Sequence, residues 1–237
     1  MSENVIEVHN LAQSFGGLRA VDGVSFSLAN GEVLGLVGPN GSGKTTIINT
    51  ICGLYEPTGG SVMLDGKDVT GLRADKLARI GINRTFQIPR PFLDLTVFEN
   101  LEIARNHASR VTLGVAEVAE LVGLSESMGK PASSLNSTHK KMLDLGRALV
   151  MSPRVLFVDE LAAGLMPAEL EGVTQLLRKI ARDRSVVVVE HLLGFLDRVA
   201  DRVLVLNAGK EIFAGSLSAA LQDDLVKKVF LGGSSSS

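Results

Sequence analysis

The chain has 237 residues, 45% of them hydrophobic, and a formal net charge of −2. That length accommodates one α/β domain with a smaller subdomain attached and is too short for two full-sized domains. Basic residues are scattered rather than striped, so the charge pattern carries no footprint for nucleic acid and no nucleic-acid partner is expected.

Mean hydropathy is positive, at +0.25, yet no apolar stretch approaches the ~20 residues a membrane-spanning helix needs. Residues 1–15 include Glu3, Glu7 and His9 and lack a continuous apolar run. No signal peptide is therefore expected, and the chain reads as cytosolic. Val5–Leu11 alternates as a strand does, and Val24, Phe26 and Leu28 repeat the pattern before an Asn30-Gly31 turn. Val33, Leu34, Leu36 and Val37 form an apolar strand that leads into Gly38-Pro39-Asn40-Gly41-Ser42-Gly43-Lys44-Thr45-Thr46, and Ile47 and Ile48 open a helix. Cys52, the single cysteine, falls in that helix and reads as a buried, inert thiol. Ser61–Leu64 followed by Asp65-Gly66 reads as a further strand entering a tight turn.

The middle third, Pro89 to Val150, lacks buried-strand runs. Val97–Ala104, Val115–Val122 and Lys140–Val150 carry helical apolar spacing, which predicts a helical insertion. Beyond it, Val155–Val158, Val186–Val189 and Val203–Leu206 are short and continuously apolar, as strands buried on both faces of a parallel sheet are. Leu170, Val173, Leu176, Leu177 and Ile180 place a helix between two of them. The final Gly232–Ser237 is glycine and serine only, a flexible end or an added tail. There is no internal repeat.

The run Gly38–Thr46 fits the phosphate-loop pattern in the strand–loop–helix frame that gives it meaning. Glycines at 38, 41 and 43 allow backbone amides to turn inward around an anion, and the helix after them aims its N-terminus at the same place. Lys44 then reaches the terminal phosphates and the Thr45 hydroxyl ligates Mg²⁺, so a nucleoside triphosphate is the expected ligand. Val155-Leu-Phe-Val-Asp159-Glu160 ends an apolar strand in two carboxylates. Such pairs are often solvated turn residues. Beside a phosphate loop, Asp159 is placed to hold Mg²⁺ through its water shell and Glu160 to polarise a water for attack on the γ-phosphate. The neighbouring strand ends Glu190-His191. A lone histidine is usually structural, but His191 at that edge can touch the γ-phosphate and report its presence. Gln87 offers an amide oxygen for Mg²⁺ or the attacking water.

Phosphate loop, glutamine after Thr-Phe, helical insertion, Asp-Glu strand and His strand follow in the order seen in ATP-binding subunits of ABC transporters. The chain resembles that family over residues 5 to 231. Phe15-Gly-Gly-Leu, Arg84-Thr-Phe-Gln, Leu95-Thr-Val-Phe-Glu-Asn-Leu, Ala163-Gly-Leu and Val229-Phe-Leu-Gly are similar to the ATPases of branched-chain amino-acid importers, within a hydrophobic amino-acid group that also handles amides and urea. The resemblance implies an α/β phosphate-loop core with a parallel sheet, an N-terminal antiparallel β subdomain and an inserted helical subdomain. Residues 1–87 and 151–231 would form the core, 88–150 the helical part and 232–237 a tail. It also implies Phe15 stacking on adenine, the alternative being an aromatic packed in the core. It implies transmembrane permease subunits as partners, a solute-binding protein acting indirectly, and a peripheral position on the cytoplasmic face of the membrane.

The chain departs from the family where the signature Leu-Ser-Gly-Gly-Gln is expected. The aligned residues are Leu135-Asn136-Ser137-Thr138-His139, while the flanking Lys140-Lys-Met-Leu-Asp-Leu-Gly-Arg-Ala-Leu keeps the register. In the family this segment reaches across a dimer to ATP held by the partner. Asn136 still offers a hydrogen bond, whereas Thr138 adds a Cβ where glycine is favoured. Met166 stands where many relatives carry an aspartate, and Leu161 where a proline is usual. Either these changes are neutral drift, or they mark a heterodimer with unequal ATP sites. A nucleotide-gated switch with little hydrolysis and a soluble ABC-type ATPase outside transport are the remaining alternatives.

Overall fold

The computed structural model describes residues 4–232. In chain order the strands are β1 (Asn4–Phe15), β2 (Leu18–Ala29), β3 (Val33–Val37), β4 (Gly59–Leu64), β5 (Lys67–Asp68), β6 (Ile82–Arg84), β7 (Val155–Asp159), β8 (Ser185–Val189), β9 (Arg202–Asn207) and β10 (Lys210–Gly215). The α-helices are α1 (Lys44–Ile51), α2 (Ala74–Ile80), α3 (Val97–Arg105), α4 (Val115–Leu121), α5 (Ser137–Leu149), α6 (Pro167–Ala181), α7 (Leu193–Val199), α8 (Leu217–Ala220) and α9 (Asp224–Gly232). None is long and apolar enough to cross a membrane, among the described residues. Of the Gly232–Ser237 tail, Gly232 closes α9 and the rest lies outside the described residues.

Two sheets form. An antiparallel sheet runs β2-β1-β4-β5, and a second runs β10-β9-β3-β8-β7-β6. Within the second, β9, β3, β8, β7 and β6 are parallel and β10 pairs antiparallel at the edge. The continuous apolar runs are explained by burial on both faces. Leu34, Leu36, Phe157, Val187, Val189, Leu204 and Leu206 face a core shared with α1 and the antiparallel sheet. Val33, Val37, Leu156, Val158, Val186, Val188, Val203 and Val205 face the opposite core, against α3 to α7. Each such side chain contributes roughly 1.5–3 kcal/mol on burial, so these strands are pinned in register from both sides.

Helix boundaries differ from the sequence reading at two places that matter. The helix after the phosphate loop starts at Lys44, three residues earlier than Ile47, because Gly43 takes φ 105° and caps it. Lys44 and Thr45 thus belong to its first turn, and Cys52 lies just past its end, buried, with its thiol pushed up to about 12 by desolvation. The helix expected from Lys140 starts at Ser137, since Asn136 caps it by accepting the His139 N–H at 2.7 Å.

Candidate functional site

The carboxyl ends of β3, β7 and β8 lie side by side, which gathers the loops that follow them. Gly38 leaves β3 with φ 154°, and a Cβ there would lie 2.3 Å from the Leu206 carbonyl oxygen. At Gly43 a Cβ would lie 2.7 Å from the Ala20 carbonyl. No side chain fits at either position, so the loop can pack this closely only as glycine. Lys44 donates to the carbonyls of Gly38 at 2.7 Å and Pro39 at 2.9 Å, folding back over its own loop. Burial lowers its pKa, opposed by the charges of Glu160 and Asp159.

A cavity of about 250 Å³ opens over this loop, lined by Ala20, Asn40–Thr46, Gln87, Glu160 and His191. Larger cavities of about 540 Å³ and 550 Å³ lie elsewhere, around Arg110 and Arg184 and beside α4 and α6, and lack the phosphate loop and the strand-end acids. Polarity, not size, marks the site here. Glu160 sits between two partners: the Gln87 amide donates to its Oε2 at 2.5 Å, and His191 Nε2 lies 2.9 Å from its Oε1. Glu160 adopts φ 48°, a left-handed conformation costing of the order of 1 kcal/mol or more for a residue with a Cβ. Its N–H donates to Val189 O at 2.9 Å, which holds the turn.

Asp159 is set behind this cavity, in a narrow crevice shared with Thr85, Gln87 and Lys141. Burial raises its pKa, and the Arg84 guanidinium, 3.3 Å away, opposes the rise. Arg84 also donates to the Asn49 side chain of α1, so it ties the Asp159 carboxylate to the helix that follows the phosphate loop. Phe15 stands apart at the β1–β2 hairpin. It is 42% exposed, which removes the core-packed alternative, and meets Tyr55 edge-to-face at 5.1 Å. Leu135 is buried, Asn136 and Ser137 are exposed at the start of α5, and Thr138 and His139 are half-buried in its first turn. Met166 is 68% exposed ahead of α6, and Leu161 is buried.

Several supporting residues escaped the sequence reading. Glu190, buried beside His191, accepts the Ala162 N–H at 2.6 Å, with its carboxyl pKa raised by burial. Lys141 donates to three carbonyls just beyond Asp159, those of Glu160 at 3.3 Å, Leu161 at 3.3 Å and Ala163 at 2.5 Å. Asp144 accepts the Phe86 N–H at 2.8 Å. Adjacency to His191 was the one signal for Glu190. Lys141 and Asp144 carried none, since their partners are distant in sequence.

A phosphate loop at the carboxyl edge of a parallel sheet, flanked by an antiparallel sheet and a helical segment, defines an ABC ATPase fold. The family model "ABC transporter" matches residues 21–163. The chain is 34% identical to the high-affinity branched-chain amino acid transport ATP-binding protein BraF of Pseudomonas aeruginosa, over 98% of this chain and 99% of that protein. It is 32% identical to the corresponding LivG of Escherichia coli at the same coverage. A nucleotide-free ATP-binding cassette from an ABC transporter superposes with a TM-score of 0.88 at 28% identity, covering 96% of this chain and 98% of that one. The ADP conformation of another such cassette gives 0.86 at 29% identity, covering 97% and 99%. The chain belongs to the ABC transporter family and is an ABC ATPase.

Proposed function

We propose that this ATPase hydrolyses Mg²⁺-ATP to power an importer of branched-chain or related hydrophobic amino acids, as a peripheral subunit on the cytoplasmic face of the membrane. The observation that carries the chemistry is Glu160 held between Gln87 and His191 over the phosphate-loop cavity. Water attacks the γ-phosphorus in line, the bond to the β–γ bridging oxygen breaks, and ADP and phosphate leave without a covalent enzyme intermediate. Glu160 takes up the water's proton, with Gln87 and His191 aiming its carboxylate. Lys44, released from the carbonyls of Gly38 and Pro39, and the amides of residues 41–46 stabilise phosphate charge. The oxygens of Thr45, Gln87 and Asp159 are hard donors, the type Mg²⁺ takes together with phosphate oxygens. An ion held by these residues would supply positive charge to offset that of the phosphates. The names of the BraF and LivG relatives support the solute class.

The partners in this reading are a transmembrane permease, a solute-binding protein acting through it, and a second ATPase subunit. Ile88, Phe92, Leu93 and Phe98 are exposed apolar residues in the stretch that follows Gln87, and in this reading they seat a permease helix. A ligand-driven shift at Gln87 then reaches the permease through the same segment. Leu93→Asp is expected to cut ATP-driven solute uptake by the assembled complex roughly tenfold or more, as loss of an apolar anchor implies. Basal ATP hydrolysis by the chain paired with its partner ATPase is expected to stay at its wild-type level. Normal uptake would place the docking surface elsewhere.

The altered signature argues for a heterodimer with unequal sites. Asn136 spends its side-chain oxygen capping α5, and Thr138 stands where glycine allows closest approach to phosphate. A partner with an intact signature closes the site built on Glu160 of this chain. The second site, covered by residues 135–139 of this chain, binds ATP and turns it over slowly.

A further inference from the structure

One side of α5 grips both loops that carry the reacting groups. Lys141, Asp144 and Arg147 recur every three residues along the helix, so their side chains leave it within one arc. Asp144 is buried and accepts the N–H of Phe86, immediately before Gln87. Arg147 donates to Arg90 O at 2.9 Å, beyond Gln87, lies 3.8 Å from Asp144, and stacks over the Phe92 ring at 5.2 Å. Lys141 gathers the carbonyls of Glu160, Leu161 and Ala163. Gln87 and Glu160 bond each other, which closes a ring from α5 through one loop, across to the second and back to α5.

Hydrogen bonds from a charged donor are among the stronger ones, and here one ammonium serves three carbonyls of a turn that starts at a left-handed Glu160. Without that cation the turn loses the contact that opposes its backbone strain. Gln87, Lys141, Asp144 and Glu160 line one narrow crevice between α5 and the two loops.

We infer that Lys141, with Asp144 and Arg147, is a positioning residue that sets the geometry of Glu160 and Gln87 from α5. This deepens the reading of Glu160 as the base and rests on it. The helix that does so begins at Ser137, directly after Asn136, so the altered signature and Lys141, Asp144 and Arg147 share one helix. A displacement of its first turn reaches Gln87 and Glu160 together.

The test compares Lys141→Met and Lys141→Arg with Glu160→Gln and the double variant, all placed in this chain within the complex assembled with its partner ATPase and permease. Misplacing a catalytic group is expected to lower kcat of Lys141→Met by roughly 10- to 100-fold, with KM for Mg²⁺-ATP and nucleotide affinity unchanged. Lys141→Arg is expected to recover most of that loss, since its guanidinium still donates to carbonyls. In the Glu160→Gln background, Lys141→Met is expected to add nothing, because its effect runs through Glu160. Unchanged kcat in Lys141→Met while Glu160→Gln is inactive overturns the inference alone. A further multiplicative loss in the double variant, or equal losses of kcat and nucleotide affinity, also overturns it by showing a merely structural role. Full activity of Glu160→Gln overturns instead the assignment of the base.

Discussion

Glu160→Gln is expected to slow steady-state ATP hydrolysis by roughly 10²-fold or more, as removal of a positioned general base implies. Nucleotide binding is expected to persist. Glutamine keeps the shape, still accepts from the Gln87 amide and still meets His191, so the contacts that hold the loop survive. What disappears is a group able to take the proton from the attacking water. Steady-state phosphate release beside a nucleotide-binding titration separates the two effects. Turnover at the wild-type rate would assign the base to another residue.

Lys44→Ala is expected to act on binding first. Without nucleotide, the ammonium is occupied by the Gly38 and Pro39 carbonyls and is partly desolvated, which lowers its pKa. Phosphate oxygens give it charged acceptors in place of neutral ones, and those bonds are the stronger kind. Their loss costs about 1.5–3 kcal/mol, roughly a 10- to 150-fold fall in ATP affinity. The rise in melting temperature that ATP produces through linkage is expected to shrink markedly at concentrations that saturate the wild type. An unchanged titration and an unchanged melting shift would show that Lys44 does not contact the phosphates.

Much of this site was legible because its parts are local in sequence. The phosphate loop is one continuous run, and Asp159-Glu160 and Glu190-His191 each end a strand whose apolar run is visible. Those runs were plain because β3, β7, β8 and β9 are buried on both faces. Strand β6 was missed because it has only three residues and no run to detect, and β10 because it is an edge strand, half-exposed. Helix α8 has four residues, too few for a period to stand out, and α2 buries only Leu77 and so shows no apolar face. The start of α5 carries a signal, since asparagine is a strong N-cap, whereas the apolar spacing of that helix begins only at Met142 and so points to a later start. The Arg84–Asp159 pair and the hold of Lys141 on residues 160–163 join segments with no sequence proximity. They exist only once the sheet has brought β6, β7 and α5 together.

The unequal-site dimer can be tested in one measurement. The native assembly, recovered with its permease and second ATPase subunit, is reconstituted in vesicles with Glu→Gln placed in each ATPase separately, and solute-stimulated hydrolysis is compared. Glu160→Gln in this chain is expected to remove most of the activity, and the equivalent change in the partner to have a mild effect. Equal losses from the two substitutions, or full-rate hydrolysis by this chain as a homodimer, would contradict it.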